Sequence, residues 1–244
     1  MGAVWVTLAA LVTALATGLG ALPFVFVREM SRRWLGISNA VAAGFMFSAS
    51  GALLIEGGIR GVWITAAGAA VGAIFIWGTQ RVLGGHELAL GELRGADALK
   101  GVLIIGVMTL HSFAEGVGVG VAYGGGAELG VFITIAIAIH NIPEGLAISL
   151  VLVPRGASVR AAAGWSIFSS LPQPLVAGLA YLFVEQFRPF LAAGLGFAGG
   201  AMIWLVVAEL LPDARKELDT PRLVAWLGGS LLLMSLLQFA LLGH

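Results

Sequence analysis

The feature that most limits what this chain can fold into is its series of long apolar stretches. Eight of them lie near residues 3–27, 36–58, 61–80, 98–123, 129–153, 160–184, 190–212 and 222–242. Each has the roughly 20 residues that a helix needs to cross a bilayer. The connectors are short and carry nearly all the charge. Of the 244 residues, 59% are hydrophobic and 11% charged, too few polar side chains to clothe a soluble domain of this size. Hydrocarbon offers backbone amides no partner, so each stretch must close its own hydrogen bonds as a helix. The expectation is an all-α polytopic membrane protein, a single transmembrane domain over residues 1–244 with eight spans.

Basic residues give the orientation. The connectors between spans 1–2, 3–4, 5–6 and 7–8, with their flanks, hold Arg28, Arg32, Arg33, Arg81, Arg94, Lys100, Arg155, Arg160, Arg215, Lys216 and Arg222, which is 11 of the 13 Lys plus Arg. The other faces hold only Arg60 and Arg188. The positive-inside bias therefore predicts both termini outside the cytoplasm. The start lacks the basic region of a signal peptide, so the first run is read as a true span. Val6 stands where myristoylation needs Ser or Thr. The chain has no Cys and a net charge of zero. Disulfides, thiolate metal sites and Cys nucleophiles are thereby excluded, and nothing marks a nucleic-acid partner.

Two matching motifs sit in this apolar background. His111-Ser112-Phe113-Ala114-Glu115-Gly116 lies in span 4 and His140-Asn141-Ile142-Pro143-Glu144-Gly145 in span 5. Each puts His and Glu four residues apart, on one helix face and about one turn from each other. A carboxylate and an imidazole inside a membrane helix are costly unless they bind something. Two His and two Glu from facing helices form a donor set suited to a first-row divalent metal ion. Both motifs fall near the middle of their spans, and the spans run in opposite directions. Like motifs on antiparallel helices at the midplane follow the inverted-repeat logic of secondary transporters.

Other polar positions fill in this picture. Pro143 is expected to kink span 5 and free the carbonyl of Ile139. In span 6, Pro172 and Pro174 bracket Gln173 at the same depth, which predicts a broken helix lining a cavity. Glu209, before Pro212 and Asp213, lies near the cytoplasmic end of span 7 and reads either as an interfacial carboxylate or as an exit-side metal contact. Span 2 carries Met46, Ser48 and Ser50 near its middle, with hydroxyls that suit helix packing, and Glu56 near its outer end. Gly68 and Gly72 in span 3 signal close packing. His86, Glu87 and His244 read as exposed groups, with His86 and Glu87 an alternative cytoplasmic metal contact. Thr7, Thr13 and Thr17 of span 1 read as packing.

Together the span 4 motif, Ala138–Gly145 in span 5, Leu171-Pro172-Gln173-Pro174 in span 6 and Glu209–Ala214 in span 7 resemble the ZIP family of divalent metal transporters, most of all its prokaryotic branches. The resemblance implies eight spans and movement of Zn²⁺, Fe²⁺, Mn²⁺, Cd²⁺ or similar ions towards the cytoplasm of a cell membrane, the inner one in a Gram-negative cell. It also implies a homodimer and an elevator-like motion, with the metal as cargo and no other cofactor. It gives metal ligation to His111, Glu115, His140 and Glu144. It points further to Asn141, Gln173, a span 2 side chain near Met46 or Ser48, and Glu209 on the cytoplasmic route. Departures are visible: Ser112 stands where many members have Asn, Ala114 where close relatives have Pro, and Gln173 where close relatives have Glu. Ser112, Asn141 and Gln173 are neutral, so one well-occupied ion is expected and a second weak or absent. The rival readings are an intramembrane zinc hydrolase, which the same ligands would allow, and a metal sensor without flux.

Overall fold

The computed structural model describes residues 2–27, 30–84 and 96–242, and within them every regular element is helical. Arg28, His86, Glu87, Arg94 and His244 lie outside the described residues. The helices are α1 (Ala3–Gly18), α2 (Arg32–Gly84), α3 (Ala96–Gly125), α4 (Ala127–Leu152), α5 (Val159–Ser170), α6 (Pro172–Gln186), α7 (Leu191–Leu205), α8 (Leu211–Glu217) and α9 (Thr220–Leu242). Among the described residues six helical stretches are long and apolar enough to cross a membrane: Ala3–Val25, Arg32–Arg81, Ala127–Arg155, Val159–Gln186, Arg188–Glu217 and Thr220–Leu241. The protein is thus an α-helical, multi-pass membrane protein.

Three of these stretches are interrupted, each where the local chemistry asks for it. The 53 residues of α2 break at Gly61, whose backbone is extended (φ 167°, ψ 97°). The break separates an arm over residues 32–60 from one over residues 62–84. Residues 159–186 form α5 and α6 with Leu171 between them, because Pro172 and Pro174 remove two backbone donors from the ladder. Leu171 ends α5 on a bond to the Phe168 carbonyl, and Pro172 opens α6 at the position where a helix tolerates it. Between α7 and α8 the chain takes one π turn, Val206–Leu210. Pro212 follows it, and an α-helix there would need Pro212 to donate to the Ala208 carbonyl, which it cannot do. By contrast, α4 stays helical through Pro143.

Small residues set the helix crossings, as expected where lipid supplies no hydrophobic drive between helices. The second arm of α2 and α7 meet backbone to backbone. A β-carbon on Gly68 or Gly72 would strike the Ala193 or Phe197 carbonyl, and one on Gly196 or Gly200 would strike Thr65 or Ala69. The crossing of α4 with α1 and the 3-10 turn that follows it (Leu19–Val25) is equally close: a β-carbon on Gly145 would run into the Thr17 carbonyl, and one on Gly20 into the Leu146 amide. The outer surface is apolar, with Trp63, Leu175, Leu232 and Leu233 exposed, as a lipid-facing surface requires. At one end of the bundle Arg60 donates to Gly125 O (3.0 Å) and Arg188 to Gly124 O (2.8 Å), capping the open carbonyls at the end of α3. Glu56 pairs with Arg60 there. Gly145→Ala should therefore force α1 from α4, lowering the melting temperature in detergent by about 5 °C or more. An unchanged melting curve would show that the crossing has slack.

Candidate metal site

The site is built on a hairpin. α3 ends at Gly125 and α4 begins at Ala127, so one residue makes the turn. Gly126 has φ 154° and ψ 158°, a positive-φ conformation that only glycine adopts without strain. The turn brings the two motifs opposite each other. One ligand atom from each of His111, Glu115, His140 and Glu144 lies within 4.8 Å of every other, and all four residues are buried. The glycine that ends each motif makes room at the same level. Gly145 meets α1 as described, and a β-carbon on Gly116 would come within 2.7 Å of the Gln173 carbonyl. The motif glycines let α1 and the start of α6 close over the four ligands.

Glu115 Oε1 is 2.5 Å from His140 Nε2 and 3.3 Å from His111 Nε2. Glu144 Oε1 is 2.9 Å from His111 Nε2 and 3.9 Å from His140 Nε2. These contacts are close, yet only the Glu115–His140 contact has hydrogen-bond geometry. His111 Nε2, His140 Nδ1 and both Glu144 oxygens are buried without a hydrogen-bond partner. Orphaned polar atoms are uncommon in a packed interior, because each forfeits its solvation for nothing in return. Of these, His111 Nε2 and the Glu144 carboxylate face each other across the cluster without hydrogen-bond geometry, an arrangement that a cation's coordination shell would complete. Two carboxylates match the charge of one divalent ion, and two imidazoles favour the transition series over Mg²⁺ or Ca²⁺.

A second layer holds these side chains in place. Gln173 donates to Glu115 Oε2 at 2.6 Å. Gln173 Oε1 in turn accepts from the hydroxyl of Thr13 and from Asn141 Nδ2 at 3.2 Å. Asn141 Nδ2 also donates to the Thr13 carbonyl at 2.8 Å, while its Oδ1 is buried and unpartnered. Thr17 Oγ1 lies 2.8 Å from Ser170 Oγ. The break at Leu171 thus places Gln173 where it orients Glu115. Thr13 belongs to this layer rather than to plain packing. The signal was its four-residue spacing from Thr17, which puts both hydroxyls on the face that meets Ser170 and Gln173.

The other expected residues have the following neighbours. Ser48 Oγ lies 3.2 Å from Ser235 Oγ on α9, and Met46 is fully buried in the main apolar core. Glu209 sits in the π turn and accepts from Gln80 Nε2 at 2.7 Å. A cleft of about 430 Å³ is lined by Glu144 at one end of the site and by Asn39, Glu209 and Asp213. Glu144 is thus shared between the buried cluster and the cleft that Glu209 also lines. Asn39 and Gln80 were not singled out from the sequence, where each follows a hydroxyl residue near one end of its apolar run.

Fold and site together define a polytopic helical membrane protein with a buried cluster of two His and two Glu that could hold a metal ion. Residues 92–243 match the family model described as ZIP zinc transporter. The chain is 34% identical over 225 residues to the zinc transporter GufA of Myxococcus xanthus, covering 85% of this chain and 87% of that protein. It is 29% identical over 274 residues to the zinc transporter ZupT of Lysinibacillus sphaericus, covering 93% of each. It is 52% identical over 217 residues to At3g08650, a candidate zinc transporter of Arabidopsis thaliana, covering 87% of this chain but only 35% of that longer protein. The chain belongs to the ZIP zinc transporter family, and the hydrolase reading is set aside because these relatives are named transporters.

Gln173→Leu removes the donor to Glu115 and one of the two acceptors that Asn141 Nδ2 and the Thr13 hydroxyl each have. Zn²⁺ binding measured by calorimetric titration should weaken about 10–100-fold. Wild-type affinity would show that this bond orients nothing.

Proposed function

We propose that the chain transports divalent transition-metal ions across the cell membrane towards the cytoplasm. Zinc is the foremost cargo, with iron, manganese and cadmium as further substrates. The observation that carries this reading is the continuity between the buried His/Glu cluster and the cleft that runs from Glu144 to Glu209 and Asp213. A structural metal site would be closed; this one adjoins a way out lined by carboxylates and an amide.

In this reading the ligands are His111, Glu115, His140 and Glu144. Asn141 Oδ1, buried without a partner beside the site, is a further donor. Gln173 acts on the ion through Glu115, and Glu209 receives it further along the cleft. The charge argument is direct. A dehydrated M²⁺ in the interior is tolerable only where fixed negative charge replaces its hydration shell, and Glu115 with Glu144 supplies two units. The imidazoles add neutral nitrogen donors. Gln173, Asn141 and Ser112 are uncharged, so a second ion would lack compensation, and one ion per chain is expected. Ligands must lose protons to bind the metal, so acid competes with it.

The topology proposed is eight spans with both termini outside the cytoplasm. The break at Gly61 makes two spans of α2, and α3 adds one to the six apolar stretches. Trp77, with the Arg81 guanidinium stacked 4.7 Å above its ring, suits a membrane interface at the cytoplasmic end of the second arm. With that orientation the cleft opens inward. Exposure to the outside then requires the α3–α4 hairpin and its neighbours α1, α5 and α6 to move as a group against α2, α7 and α9, in elevator fashion, in a protein that works as a homodimer.

Uptake into sealed liposomes with an internal chelating dye tests this. Wild type should show saturable Zn²⁺ flux, and Glu144→Ala should lose it. Stoichiometric binding with no flux for Zn²⁺, Fe²⁺, Mn²⁺ or Cd²⁺ would sink the proposal. Titration of the purified protein should find one tight ion, with affinity falling as pH is lowered from 7 to 5; two ions of similar affinity, or a pH-independent constant, would contradict the ligand set.

A further inference from the structure

Glu209 ends a relay of two side chains for which the transport route has so far no use. Gln80, near the end of α2, donates from Nε2 to Glu209 Oε1 at 2.7 Å, and Trp204 of α7 donates its indole N–H to Gln80 Oε1 at 3.0 Å. Chemistry fixes the direction of this relay. An indole nitrogen only donates and an ionised carboxylate only accepts. The amide between them therefore has one orientation that satisfies both. Trp204 sets which way the Gln80 amide faces, and Gln80 sets where the Glu209 carboxylate sits.

The backbone is shaped to permit it. Trp204 and Glu209 are five residues apart. On an unbroken α-helix, at about 100° per residue, they would point about 140° away from each other. The π turn Val206–Leu210 inserts the equivalent of one residue between them. Five residues then span what four normally do, and both side chains reach the same amide. Pro212 supplies the reason for a widened turn at this point. The turn thus delivers Glu209 both to Gln80 and to the cleft that Glu144 also lines.

We infer that Gln80 is a positioning residue for cargo release: oriented by Trp204, it fixes the Glu209 carboxylate so that an ion leaving Glu144 along the cleft meets a held oxygen. The inference rests on the transport reading. One Glu209 oxygen is engaged by the amide, which restricts rotation of the carboxylate and leaves the other oxygen for the cation. Because Gln80 acts beyond the buried cluster, it governs how fast an ion leaves and not how tightly the cluster holds it.

The test uses the full chain, with Zn²⁺ flux into dye-loaded liposomes and calorimetric Zn²⁺ titration of the same preparations. Gln80→Met keeps length and removes the amide. Its maximal flux should fall about tenfold, the loss of a bond to a charged group, while half-saturating Zn²⁺ and cluster affinity stay within about twofold. Trp204→Phe, which deletes the indole N–H alone, should lower maximal flux in the same pattern but less. Gln80→Met combined with Glu209→Gln should be no slower than Glu209→Gln by itself, because the two residues act as a unit. Wild-type flux in Gln80→Met, additive losses in the double variant, or lost cluster affinity in both Gln80→Met and Trp204→Phe would overturn the inference. Should Gln80→Met fail to fold, Trp204→Phe alone and with Glu209→Gln decides by the same criteria. A wild-type protein that moves no ion overturns the transport reading itself, and this inference with it.

Discussion

Everything in the interior is arranged around two carboxylates that have no right to be there. Glu115 and Glu144 sit at 0% and 3% exposure among apolar helices. An ionised carboxylate left alone in such surroundings would lose solvation worth far more than the net stability of a whole domain. The structure answers with opposing imidazoles, the Gln173 amide and a turn that holds two helices face to face. Remove the carboxylates, and the Gln173 amide, the helix break that places it and the Thr13 contact behind it lose the group they support. The apolar remainder of the chain needs no such detail; small residues at the crossings and bulky ones towards lipid suffice.

The hydrogen-bond pattern divides the labour between the two acids. Glu115 is engaged on both oxygens, by His140 and by Gln173. Glu144 has neither oxygen in a hydrogen bond and borders the cleft. The motifs are alike in sequence, yet one presents a braced carboxylate and the other an uncommitted one. The asymmetry comes from the neighbours, since α6 begins beside Glu115 whereas open space lies beside Glu144. A cation between them would be anchored on one side and accessible on the other.

Much of this was legible in the sequence, and the part that was not has a common cause. Four-residue His–Glu spacing in apolar runs fixes one face per helix, and antiparallel order fixes their meeting, so the cluster could be read from local periodicity alone. The two prolines around Gln173 likewise announce a break by covalent chemistry. What escaped is tertiary. Thr13 looked like packing because its partner is 160 residues away, and the Gln173 amide could have faced the ion or a carboxylate with equal plausibility. The π turn at Val206–Leu210 escaped for a different reason. Proline forbids one hydrogen bond but does not say whether the helix will kink, end or widen. Gln80 gained meaning only once that widening had turned Glu209 towards it.

The one-residue turn at Gly126 has a consequence for how such a molecule handles its load. With α3 and α4 tied so tightly, and with glycine contacts clamping α1 and α6 onto them, the four ligands cannot be drawn apart like the jaws of a clamp. Under the proposed transport, a pocket held in this way would keep its dimensions while its surroundings change. Discrimination among ions would then be decided once, by a cage of constant size, and the same side chains that select an ion would deliver it. Such a molecule would resemble a bucket more than a chain of hands. Selectivity and speed would be separable properties, the first set within the hairpin and the second by the helices packed around it.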